Sequence, residues 1–146
     1  MVQHKSCVLC TSSGGELIVQ AKKWRVIRAL DQQDFPLTYR VIWNAHVAEF
    51  SELPSQDRHE CMDVVVWVEQ AMRDFLAPDK INLAALGNVV PHLHWHIIAR
   101  YTWDCCFPAP VWANASRRVE PRAWTALEAK REQMESFLRG NAGALP

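Results

Sequence analysis

Three of the six histidines, His92, His94 and His96, fall at alternate positions of Pro91-His-Leu-His-Trp-His-Ile-Ile. If this stretch is a strand, alternation sends all three imidazoles to one face, about 6.5–7 Å apart, and Leu93, Trp95, Ile97 and Tyr101 to the other. Near neutral pH each imidazole can act as a nucleophile, a proton carrier or a metal ligand. Side chains that repel one another when charged are not clustered without a reason, and an anionic substrate such as a phosphate supplies one. A row of metal ligands and a purely structural row are the competing readings; Asn88 to Tyr101 contains no Asp or Glu to help complete a metal site. The second chemical signal is Cys7-x-x-Cys10, two thiols spaced to clasp one tetrahedral ion if two more ligands arrive.

The flanking sequence supplies a scaffold for such a row. Leu17 to Ala21 and Trp24 to Leu30 are rich in Val, Ile and Leu and read as a hairpin, with Tyr39 to Trp43 as a third strand. Between Ser55 and Leu76, apolar residues Cys61, Val64, Val65, Val68, Ala71, Met72, Phe75 and Leu76 recur at helical spacing. Pro54 suits the first turn of this helix and Pro78 its end. Lys80 to Leu86 reads as a strand, Gly87-Asn88 as a turn, and Val89 to Tyr101 as a long strand interrupted at Pro91. Phe107 to Trp112 is extended and cannot be helical. A last helix is expected over Arg122 to Leu138, with Trp124, Leu127, Met134 and Phe137 as its stripe and Gly140 ending it. The order β-β-β-α-β-β-α predicts an α+β fold: an antiparallel sheet covered by one long helix and a C-terminal helix.

Composition narrows the function classes. A chain of 146 residues with 49% hydrophobic and 22% charged residues can bury a real core, which argues against disorder. Sixteen basic residues balance sixteen acidic ones, so bulk charge would not hold the chain on nucleic acid, and no stable nucleic-acid binding is expected. The strongest apolar run, Val64 to Val68, is far short of the roughly 20 residues of a membrane helix. The N-terminus lacks the apolar segment of a secretory signal. Five cysteines, with Cys105 beside Cys106, make a poor disulfide framework, so a reducing cytoplasm is the expected location.

His92-Leu-His94-Trp-His96-Ile-Ile resembles the histidine-triad motif of the HIT superfamily, three histidines separated by apolar residues. The resemblance runs over roughly residues 7–112 and takes in Lys80-Ile81-Asn82, Leu86 to His96 and Phe107 to Trp112, as in a bacterial branch of the family. It implies a HIT domain over residues 1–115 with a C-terminal helical extension over 116–146. It also implies a homodimeric nucleotide hydrolase or nucleotidyltransferase. Such an enzyme cleaves at the α-phosphate of a dinucleoside polyphosphate or nucleoside phosphoramidate, with a purine nucleoside phosphate as the expected substrate. On this resemblance His94 is the nucleophile that forms a nucleotidyl-imidazole intermediate, and His96 contacts phosphate oxygens or the bridging atom, stabilising charge and assisting the leaving group. Asn88 and Asn82 match family positions near the phosphates, though either could simply organise a turn. Arg100 shares the triad face by parity and could offset phosphate charge or form a surface ion pair.

The resemblance also completes the thiol pair. Some triad proteins use two such cysteines, a histidine before the long helix and the first triad histidine, here Cys7, Cys10, His46 and His92. A structural zinc is the implied cofactor, with no organic cofactor, and His92 would then serve catalysis by positioning His94. Free buried thiols and a redox pair are the other readings. Two departures stand out: Val89 replaces the hydroxyl that many members carry, which leaves the leaving group open, and the usual Gly-His pair of the third strand is absent, with Leu37-Thr38 near that point. Trp103 and Trp112 could line a base pocket or pack, His4 and His59 read as solvent-facing, and Cys61, Cys105 and Cys106 read as small packing residues.

Overall fold

Antiparallel pairing joins β1 (Glu16–Gln20), β2 (Trp24–Arg28), β3 (Thr38–Trp43), β4 (Lys80–Ala84) and β5 (His94–Arg100) into one sheet of order β1-β2-β3-β5-β4. The structure is a computed structural model describing residues 4–144. Around the sheet lie a four-residue helix α1 (Val8–Thr11), the long helix α2 (Ser55–Leu76), a short α3 (Pro121–Thr125) and α4 (Glu128–Asn141). The expected α+β architecture is what forms.

One sheet face is apolar because alternation makes it so. Val26, Tyr39, Val41, Trp43, Ile97 and Ala99 are buried against Val64, Val65, Val68 and Met72 of α2 and Met134 and Leu138 of α4. Burying each such Val, Leu or Met side chain contributes about 1.5–3 kcal/mol, which makes this layer the main source of stability. A carboxylate inside it fastens α4 to the sheet: Glu135 accepts hydrogen bonds from Arg28 Nε at 2.9 Å and the Tyr39 hydroxyl at 2.8 Å. The opposite face carries the polar row and a smaller apolar cluster of Leu9, Ile27, Ala29 and Ile42.

Several boundaries differ from the sequence expectation. The triad stretch is not one long strand: β5 begins at His94, and His92 lies in the irregular segment before it. The Gly87 φ of 69° and Pro91 keep that segment off the ladder, although Leu93 still donates to the Val47 carbonyl at 2.7 Å. β4 stops at Ala84 rather than Leu86. α2 ends through Ala77, whose left-handed φ of 46° lets its N–H reach the Arg73 carbonyl, one residue before Pro78. The last helix is two helices with a break at Ala126 and Leu127, and Gly140 lies inside α4. Glycine lowers helix stability by about 1 kcal/mol but does not by itself end a helix.

Candidate active site and metal cluster

The two chemical signals of the sequence meet at one corner of the sheet. α1 carries Cys10 and is preceded by Cys7, β3 leads through Asn44 to His46, and the turn after β4 delivers His92. One ligand atom from each of the four lies within 4.8 Å of the others. Cys7 Sγ is 3.4 Å from His92 Nδ1, Cys10 Sγ is 3.4 Å from His46 Nδ1, and Cys10 Sγ is 3.5 Å from His92 Nδ1. Zinc bonded tetrahedrally to sulfur at 2.3 Å and nitrogen near 2.05 Å puts those atoms about 3.6 Å apart. The widest separation needs a contraction of about 1 Å, within reach of a short N-terminal helix.

The donor chemistry fits as well. His92 Nε2–H donates to the Trp43 carbonyl at 2.6 Å, so Nδ1 is the bare nitrogen, aimed at the thiols. Burial foremost pushes His92 below the usual histidine range, favouring the neutral ligand form, and raises the Cys10 thiol before any metal binds. Arg25 holds the corner in place by donating to the carbonyls of Leu9, Ser12 and Ser13 and to Asn44 Oδ1. The residues therefore form a Cys2His2 cluster suited to a structural zinc.

His94 and His96 project from β5 on the same side, their rings 4.9 Å apart. His94 Nδ1–H donates to the His92 carbonyl at 2.7 Å, which presents Nε2 with its lone pair available. Burial foremost lowers His94, partly opposed by that backbone hydrogen bond. His96 is pushed down to about 4, first by burial and then by the neighbouring His94 and Arg40. At neutral pH both rings are therefore uncharged, each offering one lone pair and one N–H. The edge of His96 meets the half-exposed Trp112 ring at 5.7 Å. A groove of about 480 Å³ runs along the β4 edge, with Glu69, Lys80, Asn82, Ala84 and Trp112 on its walls; neither histidine lines it, and Trp112 links it to His96.

The structure treats the other expected site residues unequally. Asn88 is exposed in the turn before His92. Asn82 accepts from Arg100 Nη1 at 2.7 Å. Arg100 has the expected parity, but it is only 2% exposed and pairs with fully buried Asp104 at 2.7 and 3.1 Å. It also donates to the Ala109 carbonyl. The expected contact with phosphate, or surface ion pair, is thus replaced by a buried clamp on the loop after β5. Burial pushes Asp104 up, but Arg100 and the N–H groups of Cys106, Phe107 and Tyr101 outweigh it and hold the carboxyl below its usual range. Trp103 stacks on Tyr101 at 4.8 Å within the main core, so of the two tryptophans only Trp112 borders the histidines. Cys61, Cys105 and Cys106 are buried packing residues, and His4 and His59 are exposed.

Sequence reasoning missed Arg40 and Asp31. Arg40 pairs across the ladder with His96, and its Nε–H donates to His96 Nδ1 over 3.4 Å. The one local signal was an arginine inside the otherwise apolar Tyr39 to Trp43 strand.

Comparison with known proteins settles the ancestry of this arrangement. The HIT domain profile matches residues 15–103, more than half of the chain. The chain belongs to the HIT family. A histidine triad protein from Bradyrhizobium japonicum is 27% identical, with 84% of this chain and 92% of that one covered at a TM-score of 0.65. One from Marinobacter aquaeolei is 25% identical, with 86% and 92% covered at 0.67. A zinc-bound histidine triad family protein from Mycobacterium smegmatis shares the fold at 22% identity, with 90% and 97% covered at 0.61. No curated protein matches the chain. Membership gives this HIT protein the general nucleotide-binding and hydrolase character of its superfamily. Among the described residues no helix is long and apolar enough to cross a membrane.

Proposed function

We propose that this HIT protein is a nucleotide hydrolase or nucleotidyltransferase that cleaves at the α-phosphate through a nucleotidyl intermediate on His94. The observation carrying this reading is the 2.7 Å hydrogen bond from His94 Nδ1 to the His92 carbonyl, which leaves Nε2 as the reactive nitrogen. Nε2 attacks phosphorus, an N–P bond forms, and the bond to the leaving group breaks with its electron pair departing on that group. Water then attacks phosphorus, the N–P pair returns to the ring, and nucleoside monophosphate is released. His96 donates a hydrogen bond to a phosphoryl oxygen or the bridging atom as charge builds. Asn82 and Asn88 flank the phosphates in this proposal. Arg100 acts by orienting Asn82, whose Oδ1 it holds.

A zinc at Cys7, Cys10, His46 and His92 would supply a fixed structural tie, and the zinc-bound Mycobacterium smegmatis relative supports its identity. The chain's own part is to hold the His92 carbonyl where the His94 N–H needs it. Proposed with this are a homodimer and a cytoplasmic setting. Association is supported by exposed Leu83 on edge strand β4, with Leu86 and Val89 beyond it and Val66 on α2.

The Cys2His2 cluster favours a second reading, because it is the most complete donor set in the site. On that reading the protein is a metal-dependent hydrolase with the histidine row as ligands, of which the cluster itself takes His92 alone, or a nucleotide-binding dimer without turnover. Metal stoichiometry of the His94→Ala variant and mass spectrometry of enzyme quenched with a diadenosine polyphosphate separate the readings. A nucleotidyl adduct on His94, with metal retained in the variant, is the expected result. Loss of metal in the variant, or binding with no adduct and no nucleoside monophosphate, overturns it.

A further inference from the structure

The nucleotidyl scheme leaves open which leaving group the site favours, and the neighbours of His96 bear on that choice. Arg40 is buried on β3 in direct register with His96, and its Nε–H donates to His96 Nδ1 over a long 3.4 Å. A guanidinium has donors only and stays charged, so the ring nitrogen facing it must accept. That places the one proton of the neutral ring on Nε2. The arginine cannot swing away freely, because Asp31 grips Nη2 with both carboxylate oxygens at 3.0 and 2.9 Å. His94 faces the opposite constraint: its N–H is spent on a carbonyl and its Nε2 is bare. Two neighbouring rings thus present a lone pair and an N–H.

We infer that Arg40, clamped by Asp31, is a positioning residue that fixes His96 as a neutral hydrogen-bond donor rather than a proton-transferring acid, and so selects substrates whose leaving group departs as an anion. The inference rests on the nucleotidyl reading. Giving up the Nε2 proton would leave an imidazolate, so His96 can stabilise charge but cannot protonate what leaves. A second proton on Nδ1 would have to displace the Arg40 contact and sit beside a fixed cation. In the first step the His94 Nε2–P bond forms, the bridging P–O bond breaks, and the oxygen keeps the electron pair and departs as a phosphate anion. In the second step water's oxygen bonds to phosphorus, the N–P pair returns to His94, and water's proton goes to solvent. An amine leaving group needs a proton during P–N cleavage, which this arrangement does not provide. The substrate class is therefore dinucleoside polyphosphates in preference to phosphoramidates.

The full-length protein is assayed with diadenosine triphosphate and adenosine 5′-phosphoramidate, as wild type and as Arg40→Met and Arg40→Lys. Wild type is expected to favour the polyphosphate in kcat/KM by at least about tenfold. Arg40→Met, which frees Nδ1 to take a second proton, is expected to shrink that ratio by about tenfold or more through kcat on the phosphoramidate. Arg40→Lys, which keeps a cationic donor, is expected to hold the ratio near the wild-type value, an outcome that mere loss of structure would not give. A wild-type preference for the phosphoramidate, or the same ratio in Arg40→Met, overturns the inference. Nitrogen-15 NMR of the substrate-free protein gives an independent reading: His96 should show a protonated Nε2 and bare Nδ1, becoming a tautomer mixture in Arg40→Met. A protonated Nδ1 in wild type overturns it as well. Turnover of neither substrate would defeat the nucleotidyl reading and the leaving-group claim together, while the NMR spectrum would still decide whether Arg40 sets the ring.

Discussion

His92 and His94 stand two residues apart, and each donates one ring N–H to a backbone carbonyl. The nitrogens are opposite ones: His92 spends Nε2 on Trp43 and offers Nδ1, whereas His94 spends Nδ1 on His92 and offers Nε2. One ring turns inward to two thiols at 1% exposure, and the other remains partly open at the surface. Identical side chains in one motif thus acquire different chemistry from the hydrogen bond at their far side. The two are also linked in series, since the carbonyl that orients His94 belongs to the residue the metal would hold.

The largest expected effect strikes the open end of that pair. His94→Ala removes the proposed nucleophile and should lower nucleoside monophosphate release by at least about 10³-fold while nucleotide affinity stays within a few-fold. Release at the wild-type rate would end the distinction between the two histidines. Next comes the closed end. Stripping metal with a chelator, or replacing Cys10 with Ser, should cost about 3 kcal/mol, the mass-action gain near hundredfold saturation, and lower the melting temperature by about 10 °C. An unchanged melting curve with no zinc by elemental analysis would mean the four donors hold nothing. Because the ends are in series, the same treatment should lower kcat more than it raises KM.

Much of this arrangement was legible in the sequence, and the misses share a cause. The period of Cys61 to Leu76 marks α2, and alternation places His94 and His96 on the face away from Ile97 and Ala99, because both signals are local. The Cys7, Cys10, His46 and His92 set could be assembled only through the family resemblance, since nothing local says that residues 85 apart meet. Arg40 went unread because its meaning lies in its register against His96, a property of two strands rather than one. Arg100 reads from sequence as a partner for phosphate charge or for a surface ion pair, because parity gives its face but not the buried Asp104 waiting there. The break in the last helix carries no glycine or proline at Ala126 or Leu127, so periodicity ran through it.

A third test compares His96 with the same residue unfolded. Its folded value of about 4 lies below the ordinary 6.5, so between those values the unfolded chain binds more protons than the native one. Stability linked to His96 is therefore fully present above about pH 6.5 and is lost as pH falls from there through 4. Linkage caps the loss at about 3 kcal/mol. Denaturant midpoints at pH 7 and pH 4.5 should differ more in wild type than in His96→Gln. An equal drop in both proteins would show that the buried ring does not resist protonation, and would weaken its contrast with an ordinary histidine.

The smallest expected effect lies away from the histidines and provides a control for them. Ala77 closes α2 with φ at 46°, a conformation that costs a β-carbon about 1–2 kcal/mol, and its N–H already makes the capping bond to Arg73. Glycine removes that strain but adds unfolded-chain entropy, so Ala77→Gly should stabilise the fold by no more than about 1 kcal/mol. Thermal or denaturant unfolding measures this directly. Turnover and metal content should not change, because Ala77 ends the helix on the apolar side of the sheet while the reactive nitrogens lie on the other. A stabilised variant with altered turnover would mean that packing of α2 reaches His94 through the sheet. In that case the Cys2His2 corner and the proposed nucleophile could no longer be treated as a pair coupled only through the His92 carbonyl.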